Sequence, residues 1–198
     1  MSRGPVPTIP GEGGCVARLL ARDPFGGLLP LSWGQVTAMA VDPGPVTLIA
    51  PYRASVGETR DRLRAELALD WPDPGRATGS GEAALLSVGP GRALLVGVPA
   101  PDLPGAAVID QSDGVAVVAV SGADARAVLA RLVPLDLDPV AFGEGSVAAT
   151  LVGHMTATLW ARGEALRIVG MRSMARSLVH ELERAARNVA AREAMRNR

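Results

Sequence analysis

The chain has 198 residues, 20 of them basic and 20 acidic, for a formal charge of zero. All 20 basic residues are Arg, which excludes a Schiff-base lysine, a pyridoxal-phosphate attachment and a P-loop lysine. Without a basic excess the counterion-release term behind nucleic-acid binding is missing, and no window approaches the roughly 20 apolar residues needed to span a bilayer.

The length fits one domain or two small joined halves. Apolar residues make up 48% of the chain but only six residues are aromatic, so Ala, Val and Leu must fill the core, which suits thin α/β layers. The lone Cys15 cannot close an internal disulfide, and the start offers no apolar stretch of signal-peptide length. The expected compartment is a reducing one, the cytoplasm.

In chain order, residues 1–21 open as a Gly/Pro-rich tail, expected to be flexible. Leu28–Met39 has no clean period, and a single strand is expected over Gln35–Val41. Val46–Ala50 is β-branched and apolar and reads as a strand. Ser55-Val56-Gly57-Glu58 fits a capping box that opens a helix over 56–69, burying Val56, Leu63, Leu67 and Leu69, with Glu58 and Arg62 paired at i, i+4. Glu82–Ser87 and Arg92–Val98 read as strands hinged at Gly89-Pro90-Gly91. Ala106–Ile109 and Val115–Val120 follow on either side of Asp110–Gly114. A cap at Ser121–Asp124 starts a helix over 123–133, with Ala125, Val128, Leu129 and Leu132 on its buried face and Pro134 as its stop. Ser146–Leu151, Met155–Ala161 and Ala165–Met171 are three further strands. A last helix over 174–191 carries the stripe Met174, Leu178, Leu182, Ala185 and Val189, with Glu183 and Arg187 paired, and residues 192–198 are expected to fray. Each half reads as a strand, a helix and more strands.

Few residues in this pattern carry chemistry. Gly79-x-Gly81-x-x-Ala84 and Gly143-x-Gly145-x-x-Ala148 imitate a dinucleotide fingerprint, but a real one follows a strand and opens a helix, and both of these precede strands. His154 falls on a hairpin and His180 on the last helix, with no second His or Cys at zinc-ligand spacing. Asp110 and Asp113 bracket a turn, where such side chains bond their own backbone two residues on. Cys15 has no neighbour that would activate its thiol. Arg172, ahead of the last helix, can clamp a carboxylate of a ligand or make an ion pair at an interface. The reading predicts no catalytic, cofactor-binding or metal residue, and a subunit-contact surface of Arg172, Arg176 and His180, with Trp160 near it.

The stretch from Asp110 to Arg187 resembles the gamma subunit of bacterial heterotetrameric sarcosine oxidase. The resemblance rests on Asp110-Gln111-Ser112-Asp113-Gly114, Ser121-Gly122-Ala123-Asp124-Ala125-Arg126, Pro134-Leu135-Asp136-Leu137, Ala141-Phe142, Gly145, Thr150-Leu151, His154, Arg172-Ser173-Met174-Ala175 and Ser177-Leu178. Upstream, Arg22-Asp23-Pro24-Phe25, Pro74-Gly75-Arg76 and Gly89-Pro90-Gly91-Arg92 match more loosely. That family in turn resembles the folate-binding fold of aminomethyltransferases. The resemblance implies an α+β chain over 22–191, made of two ferredoxin-like β-α-β-β halves at about 22–105 and 106–191. It implies alpha, beta and delta partner subunits that hold FAD, FMN, NAD, tetrahydrofolate and zinc, with none on this chain. The activity implied for the complex is oxidation of sarcosine to glycine, yielding hydrogen peroxide and either formaldehyde or methylene-tetrahydrofolate. Arg92-Ala93-Leu94 stands where relatives often carry aromatics, which leaves open another N-methyl or cyclic secondary amino acid as substrate. A stand-alone folate-binding, aminomethyltransferase-like protein is the alternative, with Asp110 or Asp113 as its carboxylate, and a pure assembly scaffold is a third reading.

Overall fold

The computed structural model describes residues 22–79, 81 and 83–196. Runs of alternating or β-branched apolar residues become strands, and the periodic stretches between them become helices. In chain order the elements are β1 (Leu31–Trp33), β2 (Val36–Val41), β3 (Val46–Pro51), α1 (Val56–Leu67), β4 (Ala77–Thr78), β5 (Ala84–Gly89), β6 (Arg92–Val96) and β7 (Ala106–Asp110). They continue with β8 (Val115–Ser121), α2 (Ala125–Leu129), β9 (Val147–Val152), β10 (Met155–Arg162), β11 (Ala165–Met171) and α3 (Ala175–Arg196).

The strands form two antiparallel sheets, ordered β1-β2-β8-β11-β10-β9 and β4-β5-β6-β3-β7. The fold is therefore α+β, but the sheets do not follow the expected division into halves at about residue 105. β2 pairs with β8 from Thr37↔Ser121 to Val41↔Val117, and β7 pairs with β3. β8 is apolar on both faces and sits inside its sheet, so it needs a neighbour on each side; β11 supplies one and the N-terminal β2 the other. Although the two sequences do not align, the sheets share a strand order. In each, the strand that leads into a helix (β3 or β8) lies between the second strand of a hairpin (β6 or β11) and a strand contributed from elsewhere (β7 or β2).

Packing stacks four layers. On β8, Ala116, Val118 and Val120 face α2 and α3, in a core with Leu159, Ile168, Leu178 and Leu182. Val117, on the opposite face, joins Trp160 and Val169 against Val46, Leu86 and Leu94 of the second sheet. The outer face of that second sheet packs Ile49, Leu85 and Leu95 against Leu63 of α1. An apolar strand with both faces covered is the arrangement that a continuous Val/Ala run requires.

Several sequence expectations are corrected. The Ser55 side chain makes no capping bond; a 3₁₀ turn over Arg53–Ser55 precedes α1, and Ser55 is packed where a Cβ on Gly105 would come within 2.5 Å of its own Cβ. α1 ends at Leu67 because Ala68 turns left-handed (φ 54°), and Leu69, outside the helix, then folds back into the core beside Leu63. α2 is only five residues long. Beyond Leu129 its bonds tighten, with the Arg131 and Leu132 N–H groups donating to Val128 and Leu129, and Val133 is drawn under the sheet ahead of Pro134. A hairpin, β1–β2, stands where one strand was expected. α3 runs on to Arg196, so residues 192–196 are helical rather than frayed. The expected flexible tail, with Cys15, lies outside the described residues.

Candidate functional site

Three separated segments meet at one corner of the molecule: the turn at Arg22–Gly27, the link Asp110–Gly114 between the sheets, and the start of the last helix at Arg172. The link is built as an Asx turn. Asp110 Oδ1 accepts the Ser112 N–H at 2.9 Å and the Ser112 hydroxyl at 2.6 Å. Those two bonds, the hydroxyl's first, hold the Asp110 carboxyl below its usual range. Ser112 Oγ also accepts the Val46 N–H at 3.0 Å, tying the link to β3.

The N-terminal turn is closed by Asp23, whose carboxylate accepts the N–H groups of Phe25 at 3.0 Å and Gly27 at 2.8 Å. The bonds from Gly27 and Phe25, and then the nearby Arg172 guanidinium, lower its carboxyl pKa. Pro24 fixes the approach, and Phe25, at 2% exposure, anchors the turn in the main core. Arg172 joins both segments. Its N–H donates to the Gly114 carbonyl at 2.8 Å, and its guanidinium donates to the Arg22 carbonyl. Asp23, Asp113, Gly114, Arg172 and Ser173 border a shallow depression of about 500 Å³. The corner is polar and half-open, and most of these bonds join a side chain to the backbone.

The other predicted contact residues separate. Arg176 is exposed on α3 and lies against the same turn, its Cδ and Nε each 3.8 Å from where a Cβ on Gly26 would stand. His180 is exposed further along α3, with Nδ1 3.8 Å from Glu183 Oε2. Trp160 does not belong to this surface. It is 3% exposed, between the two sheets, because residues alternate along β10 and its neighbours on that face are Thr158 and Arg162.

Alternation also locates a cluster that the sequence reading missed. Arg167 of β11 stands directly across from Trp160, and Arg162 follows two residues after it on the same face. Their guanidinium carbons lie 5.3 and 4.7 Å from the indole centroid. Period-two reading of the two strands is the signal that would have grouped them.

Gly79, Gly81 and Gly145 have positive φ, and both Gly-rich fragments lead into strands rather than helices. His154 lies exposed in the β9–β10 hairpin. Among the described residues no three His, Cys, Asp or Glu side chains form a group able to hold a metal. No helix of the described residues is long and apolar enough to cross a membrane.

The fold is of a class found in a chain of a multi-subunit oxidoreductase. That chain belongs to the heterotetrameric sarcosine oxidase from Corynebacterium sp. U-96, solved in complex with pyrrole 2-carboxylate. It is similar to this one at a TM-score of 0.75 and 24% identity, over 87% of this chain and 97% of that one. At that identity the likeness establishes a shared fold. No protein-family model matches the chain, and no curated protein does.

Proposed function

We propose that the chain is a gamma-type subunit of a heterotetrameric sarcosine oxidase complex. It works by docking to alpha, beta and delta partners that hold the flavins, NAD, folate and zinc, and it supplies no catalytic group itself. The reaction of the assembly is oxidative demethylation of sarcosine to glycine, with hydrogen peroxide and formaldehyde or methylene-tetrahydrofolate as co-products. The observation that carries this reading is the near end-to-end fold match. A chain that pairs 97% of its length with 87% of this one is of similar size, so the likeness is to a small subunit rather than to one domain of a large chain. Convergence of the Arg22–Phe25, Asp110–Gly114 and Arg172–Met174 segments on one corner adds a surface for docking.

The test is co-expression with candidate partners, purification through a tag on this chain, and assay of peroxide release from sarcosine. Stoichiometric co-elution of large, flavin-coloured partners with sarcosine-dependent peroxide is the expected result. A chain that elutes alone from such a lysate overturns the proposal. A panel of N-methyl and cyclic secondary amino acids identifies the substrate.

A further inference from the structure

At the end of β10 and β11 the layer between the sheets closes on a group that the docking corner does not use. Trp160, Arg162 and Arg167 border a cavity of about 390 Å³. Its remaining walls are Val41, Asp42, whose carboxylate accepts the Gly44 N–H at 2.9 Å, Pro43, Gly44, Gly81, Val96, Gly97, Val117 and Val169, and its size falls at the lower end of small-ligand sites. Gly44, Gly81 and Gly97, at φ 63°, 63° and 96°, bring bare backbone to the rim. At Gly44 a Cβ would come within 3.3 Å of the Gly97 carbonyl oxygen, so a side chain there would crowd the opening.

Two guanidiniums stacked on one indole repel each other, and the place is partly stripped of water. Burial, and then the charge of Arg162, make the cationic form of Arg167 less favourable than usual, with Glu144 opposing. Glu144 is itself engaged, accepting the Gly163 N–H at 2.6 Å. Arg162 donates to the Gly81 carbonyl. Among the described residues neither Arg has a carboxylate in ion-pair range, and Arg167 Nε is sealed from solvent with no acceptor.

We propose that this cavity binds the oxyanion end of a small organic anion, a carboxylate or a phosphate monoester, between the Arg162 and Arg167 guanidiniums over Trp160. An oxyanion in the cavity offsets the repulsion between the two forks. Guanidinium forks suit such ligands because their donors match paired oxygens. The indole holds both forks in place, and the glycine rim admits the body of the ligand. The site lies wholly on this chain and is independent of the proposed assembly.

Thermal unfolding of the full chain tests it, with inorganic phosphate and, separately, succinate, against sodium chloride at equal ionic strength. A rise in Tm of about 2–4 °C is expected with at least one of the two anions once it exceeds its Kd several-fold. The anion that works assigns the ligand class. Arg167→Met keeps a stem against Trp160, so it should fold, and Arg162→Gln changes a half-buried position. Both variants should lose the anion-dependent rise. No rise over chloride in the unsubstituted chain, or a rise that either substitution leaves intact, overturns the proposal.

Discussion

The Gly114 carbonyl accepts the Arg172 N–H at 2.8 Å, joining the link between the two sheets to the start of the longest helix. Residues 58 positions apart in sequence are held there by backbone alone, so the Arg172 side chain can be removed without removing the bond.

Arg172→Ala should therefore leave the lone chain folded, with an unchanged circular dichroism spectrum. If the corner docks a partner carboxylate, the loss of a desolvated charge pair costs about 2–5 kcal/mol of affinity. Pull-down yield and the Tm of the whole assembly should both fall. Unchanged retention in the complex would remove the corner from the interface.

Gly122 and Gly163 both have positive φ, but a Cβ on Gly122 would lie 1.9 Å from the Gln35 carbonyl oxygen, whereas one on Gly163 meets nothing within 4 Å. Gly163→Ala should cost about 1–2 kcal/mol, the left-handed penalty alone. Gly122→Ala must also push β2 away from β8 and should cost about 3 kcal/mol or more. Urea titration of the two variants decides it, and equal losses would show that the close approach is not what requires glycine at 122.

Arg126 fastens the irregular stretch after α2, donating through Nη1 to the Leu137 carbonyl at 2.5 Å and to the Phe142 carbonyl at 3.0 Å. Arg126→Met should cost about 1.5–3 kcal/mol, the range for bonds to a charged donor. Amide exchange should accelerate over residues 135–142 before it does so in the strands. Uniform acceleration across the chain would argue against a local fastening.

Asp23 and Asp110 have carboxyl pKa values below the ordinary 3.8 in the folded chain. A depressed carboxyl favours the folded state at pH values above its unfolded pKa, and that contribution is lost as pH falls through the lower folded value. The Tm difference between the unsubstituted chain and Asp110→Asn should be constant from neutral pH to near 4. Below 3.8 it should close. A difference that persists into the most acid range would mean that Asp110 acts through packing rather than charge.

Much of this architecture is written locally. Val46–Pro51 is β-branched, the Gly153-His154 and Gly163-Glu164 turns separate β9, β10 and β11, and α3 repeats its apolar residues every three or four positions. What local pattern did not carry is long-range choice. Nothing within Val36–Val41 says that its partner is Val117–Ser121, because period two states which face is buried and not which strand covers the edge. Ala125–Leu132 has a helical period, yet burial of Val133 and Leu137 tightens the chain after Leu129. At the corner, Asp110's turn was readable from its spacing to Ser112. The meeting of Arg22 with Arg172 was not, because it depends on how the first and last elements pack on one sheet.

The pairing of β2 with β8 also sets an order of events during synthesis. β2 ends at Val41, but its partner begins at Val115 and is complete only at Ser121. At about 5–20 residues per second, a ribosome needs several seconds to produce the intervening chain. Until then the N-terminal hairpin has an open edge, while β3 to β7, the whole of the other sheet, emerge in one unbroken run. The sheet that is made contiguously can close first, and the one that begins at the N-terminus must close last.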